Sequence, residues 1–192
     1  MKNDPLIKSA RLDSLNIVKY VQICLWVSFI ATVVGSNWVL GTFGIVPIGF
    51  GLTAPAGVYF AGLAFTLRDL LHERGGRFWI LSAIIAGAML SGLLEDAQRF
   101  ALASGVAFLL SELADWTIYT PLRRKGWTIA VTSSNVVGLI VDSSLFLWLA
   151  FGSLEFIEGQ IVGKIYMTVG AIIVIWGARY IRKHRLQGRN QP

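Results

Sequence analysis

Long apolar stretches separated by short polar or charged connections fill most of this 192-residue chain. The apolar runs are continuous rather than alternating, which predicts helices and not the strands of a barrel. The pattern places spans at residues 16–35, 54–71, 78–94, 98–121, 127–151 and 160–181. Each has roughly the length that crosses a ~30 Å hydrocarbon layer at 1.5 Å per residue. The expected architecture is therefore an all-α integral membrane protein, one six-transmembrane-helix bundle. Residues 1–15 form a cytoplasmic leader, and residues 182–192 form a tail that frays into the cytoplasm. The first span has the look of a signal peptide, but five further spans and a basic leader favour an anchor helix.

Polar residues inside these spans change the picture. Glu112 and Asp115 stand at i and i+3 in the fourth span, and Asn135, Gly138 and Asp142 at i, i+3 and i+7 in the fifth, so each set shares one helix face. Ionisable groups in such segments are expensive and usually face a bundle interior or a wet cavity. Glu112 lies about eleven residues from the cytoplasmic cations, roughly 16 Å deep, and Asn135 roughly 12 Å. Asp142 is roughly 22 Å from that side, a depth that Lys164 of the sixth span reaches from outside. Asp142 and Lys164 are then either a structural ion pair or part of a ligand site. Asp115 is expected to pair with Arg123 or Arg124, and Arg68 with its neighbour Asp69. Glu112 has no evident cation at its depth, which makes it the leading candidate for substrate contact. Phe108 is four residues before Glu112 on the same face, with room left beside it by Ser104 and Gly105.

The connection at residues 36–53 is uncharged and carries Gly41, Gly44, Gly49, Gly51 and Pro47. A water-exposed loop is normally polar. This one is expected either to be an interfacial hairpin anchored by Trp38 or to act as an outer lid, its backbone satisfied by protein or a wet cavity. Small residues at four-residue spacing, Gly57 and Ala61, then Ala83, Gly87 and Ser91, predict close helix packing, within the monomer first and in a homodimer second.

Composition agrees with a membrane protein. Hydrophobic residues make up 55% of the chain and charged ones 15%, with mean hydropathy +0.63, against about 25% charged residues in a soluble domain. The net charge of +6 is a topology signal rather than a nucleic-acid signal. Of the 17 Lys and Arg residues, only Arg99 and Lys164 fall outside alternate connections, which puts both termini in the cytoplasm and the protein in the inner or plasma membrane. Cys24 is the single cysteine, so no internal disulfide forms. The two histidines, His72 and His184, flank the spans and supply neither a zinc motif nor a triad, and no phosphate-binding glycine loop is present. Neither a cofactor nor an enzymatic activity is expected.

The stretches SELADWTIYTPLRRKGW and SSNVVGLIVDSSLFLWLAF carry a resemblance. An acidic residue, then Leu–Arg and Trp, then Asn–x–x–Gly–x–x–x–Asp–Ser–x–x–Phe–x–x–x–Ala–Phe is similar to the paired signature of the VUT family of vitamin-uptake or queuosine precursor transporters. Asp115, Leu122, Arg123, Trp127, Asn135, Gly138, Asp142, Ser143, Phe146, Ala150 and Phe151 match it. Upstream, Ser36-Asn37 and the stretch from Thr66 through Arg68, Asp69 and Leu70 to Gly75 match more loosely. The resemblance implies a six-helix plan similar to the substrate-binding subunits of energy-coupling-factor transporters. It also implies a 7-deazaguanine substrate, 7-cyano- or 7-aminomethyl-7-deazaguanine. The first span lacks an Ala–x–x–x–Ala pair for docking a coupling subunit, with Ser28 and Thr32 in its place, which favours a stand-alone carrier.

The chemistry of such a substrate suits the polar residues. A guanine-like edge offers two adjacent N–H donors to a carboxylate, its carbonyl and ring nitrogens suit an amide such as Asn135 or Asn37, and its flat face suits an aromatic ring. The candidate site is thus Glu112, Asn135, Asp142, Phe108, Asn37, Asp115 and Lys164. The alternatives are a non-transporting membrane scaffold or a vitamin-binding subunit of a larger transporter. The charge pattern makes a direct prediction: reporter fusions at both termini read cytoplasmic and a fusion at Gly159 reads external, whereas a cytoplasmic reading at Gly159 removes the sixth span or inverts the map.

Overall fold

The two ends of the chain are helical well past the limits that hydropathy suggests. In the computed structural model, which describes residues 5–188, α1 runs Pro5–Phe43, followed by β1 (Ile45–Gly49), β2 (Leu52–Pro55), α2 (Val58–Gly75) and α3 (Arg77–Gly92). Then come α4 (Glu95–Leu122), a 3-10 turn at Arg123–Lys125, α5 (Trp127–Phe151) and α6 (Ile157–Gly188). The leader is helical from Pro5, and α6 continues through most of the expected tail. Its cations do not break the helix, because Lys and Arg are good helix formers. Residues 1–4 and 189–192, the outermost parts of the expected leader and tail, lie outside the described residues.

Among the described residues there are six α-helices, and four of them are long and apolar enough to cross a membrane, in the stretches Asn16–Phe43, Glu95–Lys125, Ile129–Phe151 and Ile157–Ala178. The other two fall short of the expected six spans for different reasons. The apolar α3 has only 16 residues, roughly 24 Å. The 18-residue α2 carries Arg68, Asp69, His72, Glu73 and Arg74 in its second half. The protein is a multi-pass, helical membrane protein with α2 and α3 as its two shorter helices.

Connections follow the breakers. Gly76, with φ +72°, separates α2 from α3. Gly152 closes α5 in the left-handed conformation and donates its N–H to the carbonyl of Trp148 at 2.9 Å. Only glycine takes such angles without strain.

The uncharged outer connection is resolved into helix and hairpin. Residues 36–43 extend α1, since nothing breaks the helix before Gly44, and Trp38 is therefore a helical residue. The remainder forms a two-stranded antiparallel hairpin, Ile45 opposite Pro55 and Val46 opposite Ala54. Pairing satisfies its backbone, as an apolar environment requires. Ile48, Ala54 and Val58 pack together with Tyr59 and Val162, so the hairpin is seated on α2 and α6, with Phe50 exposed at its tip.

The main core joins α1, α2, α3 and α4 through Phe29, Ile30, Val33, Ala64, Phe65, Leu71, Ile80, Ala83, Ile84 and Phe108. The small-residue face of α3 is used inside the monomer: Gly87 meets Val33 of α1, and Ser91 accepts from Asn37. Gly57 lies against Ser36 in the same way. The α4 helix packs most extensively on α5, and α6 rests on α2 and β2 more than on α5. Large apolar side chains such as Trp148, Val174 and Trp176 point outward, as lipid-facing positions do.

Close approach at two glycines locks the outer end of this bundle. A methyl at Gly41 would overlap the backbone carbonyl of Asp96 at the start of α4, and one at Gly159 would overlap that of Thr53 in β2. Backbone cannot move aside as a flexible side chain does. Gly41→Ala or Gly159→Ala is expected to cost ~1–3 kcal/mol or more, read as loss of monodisperse protein on heating in detergent. Gly170→Ala, with open space around it, should be neutral or slightly stabilising.

Candidate functional site

Two polar layers lie inside the bundle, one toward each end. The first layer, toward the end of the bundle that holds the 3-10 turn, centres on Arg68. Its position in α2, seven residues before Gly75, is roughly 10 Å from the helix end. Its side chain is only 2% exposed. Its Nε and Nη2 donate to Asp69 Oδ1 at 3.0 and 2.7 Å, Nη2 also to Asn135 Oδ1 at 2.8 Å, and Nη1 to Glu112 Oε2 at 3.0 Å. The Nδ2 of Asn135 leans on Asp69 Oδ2 at 3.4 Å. One guanidinium therefore ties α2 to α4 and α5. Its planar fork of five donors is suited to this sharing.

The expected Arg68–Asp69 pair is present, but two other expectations fail here. Glu112 does have a cation at its depth. An arginine adds the reach of its long side chain to its backbone depth, and Arg68 extends to Glu112. Asp115 does not pair with Arg123 or Arg124: it is buried facing Gly138 of α5, while Arg123 donates to the hydroxyl of Tyr119. The helix turns Asp115 inward, away from the 3-10 turn that carries the cations.

The second layer, toward the hairpin, contains the Asp142–Lys164 pair. Lys164 Nζ donates to Asp142 Oδ2 at 2.6 Å and to Ser143 Oγ at 2.8 Å, with both charged side chains buried. This joins α5 to α6, two helices that otherwise touch little. Nearby, Asn37 Nδ2 donates to Ser91 Oγ at 3.0 Å and Ser104 Oγ at 2.8 Å, linking α1, α3 and α4.

A small cavity of about 40 Å³ lies among these groups; small-molecule sites usually span about 300–1,000 Å³, so a ring-sized ligand enters only as this cavity widens. Its polar lining includes Thr32, Ser36, Ser104, Asp142, Gln160 and Lys164, and its apolar wall includes Phe108 and Phe146. Ser104 and Gly105 open space beside Phe108 as their small size suggests. Gln160 is buried, and its Oε1 has no hydrogen-bond partner.

Aromatic rings separate the layers. Phe108 stacks on Phe65 at 5.3 Å between centroids and meets Phe29 edge-on at 5.4 Å. Phe65 in turn has the Arg68 guanidinium at 5.3 Å and the Lys164 ammonium at 5.6 Å from its ring centre, both within cation–π range.

Of the seven candidate residues, Phe108, Asp142 and Lys164 line the cavity, and Asn37 stands behind Ser104. Glu112, Asp115 and Asn135 belong to the Arg68 layer. Arg68 as a hub and Gln160 as a cavity residue were missed. Helix-rise arithmetic applied to Arg68 would have flagged the first. Gln160 at the very start of a span carried no such signal.

A family model described as "Putative vitamin uptake transporter" matches residues 78–181. The chain belongs to this family. The matched stretch runs from α3 into α6 and so includes the α4–α5 signature, Glu112, Asp115, Asn135, Asp142 and Lys164, while the looser likenesses at Ser36-Asn37 and from Thr66 to Gly75 lie outside it. The chain matches no curated protein and no solved structure.

The buried ion pair makes a sharp prediction. Asp142→Asn leaves Lys164 buried beside a neutral partner and should destabilise the protein by ~3–5 kcal/mol, seen as lost folded yield. Combining it with Lys164→Met should recover that yield. A single Asp142→Asn variant that accumulates normally but fails to bind substrate would instead make Asp142 a ligand first and a structural residue second.

Proposed function

We propose that this membrane protein imports a 7-deazaguanine queuosine precursor, 7-cyano- or 7-aminomethyl-7-deazaguanine, and that the cavity between the hairpin and Phe108 is where it binds. The observation that carries the reading is the pairing of a flat aromatic wall with an orphaned acceptor. Gln160 Oε1 is buried without a partner on the cavity wall, which costs about 1–3 kcal/mol. A ring N–H or exocyclic amine of the substrate would satisfy it. Asp142 gives one oxygen to Lys164, and a carboxylate has about four lone-pair sites, so it can accept from the same donor edge. The ammonium of Lys164 suits the ring carbonyl. Phe108 suits the ring face.

The family supports uptake of a small molecule across the membrane, and the queuosine precursor is the finer step of the proposal. In the same reading the helices adopt a plan similar to energy-coupling-factor substrate subunits. The carrier works without a coupling ATPase, in the inner or plasma membrane with both termini cytoplasmic. A cavity lined by buried polar groups counts against a bare scaffold, which has no use for one.

Binding of 7-cyano-7-deazaguanine to purified protein is the test. Gln160→Met removes one neutral hydrogen bond, about 0.5–1.5 kcal/mol, so affinity should fall about two- to tenfold. Queuosine should also return to tRNA in cells lacking precursor synthesis and their own transporter when this protein is expressed. Folded wild-type protein that does not bind the probe would sink the substrate assignment. A larger loss from Glu112→Gln than from Gln160→Met would move the substrate to the Arg68 layer.

A further inference from the structure

We propose that Glu112 and Asp115 form a proton-binding site, and that the proton they hold is released toward the cytoplasmic end of the bundle as part of the import cycle. The site rests on its own geometry; its link to import rests on the function proposed above. Both side chains are buried, at 0% and 6% exposure, and each keeps a buried oxygen with no hydrogen-bond partner, Glu112 Oε1 and Asp115 Oδ1. They are one helical turn apart on the same face of α4, which puts their Cβ atoms about 5–6 Å apart.

The surrounding charges do not balance them. From α2, Arg68 faces the pair, but its guanidinium is shared among Asp69, Asn135 and Glu112 Oε2. Among the described residues no ion pair reaches Asp115. From α3, Arg77 lies over the ring of Trp116 at 4.4 Å. On α4 itself Tyr119 accepts from Arg123. From α5 come only the neutral Ser134, Asn135 and Gly138. Ionised together, Glu112 and Asp115 would leave an uncompensated charge beside Arg68 among largely buried groups, which is unfavourable. One proton brings the buried trio of Arg68, Glu112 and Asp115 to neutrality. It converts one acceptor-only carboxylate into an acid whose O–H can donate to an orphaned oxygen.

The pair is also reachable from water. Asp115 lines a vestibule of about 300 Å³, together with Arg68, Asp69, His72, Glu73 and Tyr119, and the Asp69 side chain is 47% exposed. The proton therefore has an aqueous exit on that side, where His72 and Glu73 can relay it. A metal ion suits the place less well: among the described residues no three His, Cys, Asp or Glu side chains group as metal ligands. Through Arg68, the pair is one ring, Phe65, away from Lys164 on the cavity wall. That is a short physical route between protonation and the substrate cavity.

Infrared spectroscopy of the purified protein in nanodiscs tests the site without any substrate. At neutral pH the wild type should show a protonated carboxylic-acid C=O band that shifts in D2O and fades on alkalinisation. Asp115→Asn or Glu112→Gln should remove that band. Each variant mimics the neutral acid, so both should fold; if one does not, the other and the wild-type titration decide. A wild type with no such band, or a band untouched by both substitutions, overturns the proposal. In proteoliposomes, an inward pH gradient of one unit should drive about tenfold accumulation of 7-cyano-7-deazaguanine at one proton per substrate, and Asp115→Asn should lose it. Gradient-driven accumulation by Asp115→Asn equal to wild type refutes the coupling. An acid band assigned to Asp115 or Glu112 in a wild type that carries no probe supports the proton site and removes the substrate reading instead.

Discussion

A single buried guanidinium sets the terms for one half of this bundle. Arg68 is almost fully buried, so most of its donors must be met by protein, and the acceptors come from three different helices. Removing any one acceptor would leave a buried donor unpaired, while removing Arg68 would leave Glu112 buried without its cation. Such a network specifies how α2, α4 and α5 sit against one another, where apolar contact alone would tolerate sliding. The same logic operates toward the hairpin, where Lys164 bridges Asp142 and Ser143 and joins α5 to α6, two helices that otherwise touch little.

Lipid offers no hydrophobic incentive for helices to associate, because its tails are as apolar as leucine. What draws these helices together is close packing at small residues and hydrogen bonds between polar ones. Both devices are visible at the same places. Gly87 lets Val33 approach, and about one turn away Asn37 reaches Ser91 and Ser104. Gly57 lets Ser36 approach, and Ser36 Oγ donates to the carbonyl of Gly57 at 2.9 Å. Apart from these contacts, the outward surface is free to be apolar, as Trp148, Val174 and Trp176 show.

Phe65 gives the two layers a common wall. Its ring is flanked by Arg68 and Lys164 and stacked on Phe108, which lines the cavity. An aromatic ring blocks passage of a polar molecule while conceding some favourable interaction to both cations. The ring also lines a pocket of about 290 Å³ that touches both Arg68 and Lys164, so the two layers communicate beside it.

The sequence alone determined the class of this protein and its helical elements. Continuous apolar runs and scarce charge leave no alternative to a membrane helix bundle, and α5 begins and ends at the residues that hydropathy marks, Trp127 and Phe151. It also singled out the Asp142–Lys164 pair, because two opposite charges at one depth have few other partners. Helix ends were less legible. Backbone hydrogen bonding carries α1 to Phe43 and α6 to Gly188 regardless of where hydrophobicity stops, and the apolar connection after α1 is a hairpin whose pairing depends on residues ten apart. Only the tertiary structure decided which carboxylate has a cation. Depth along the helix assigns the cation to Asp115 and none to Glu112, but a reaching side chain from α2 settles on Glu112 instead. The reach of Arg68, like the place of Gln160 on the cavity wall, depends on distances between helices, and one-dimensional spacing along each helix does not contain them.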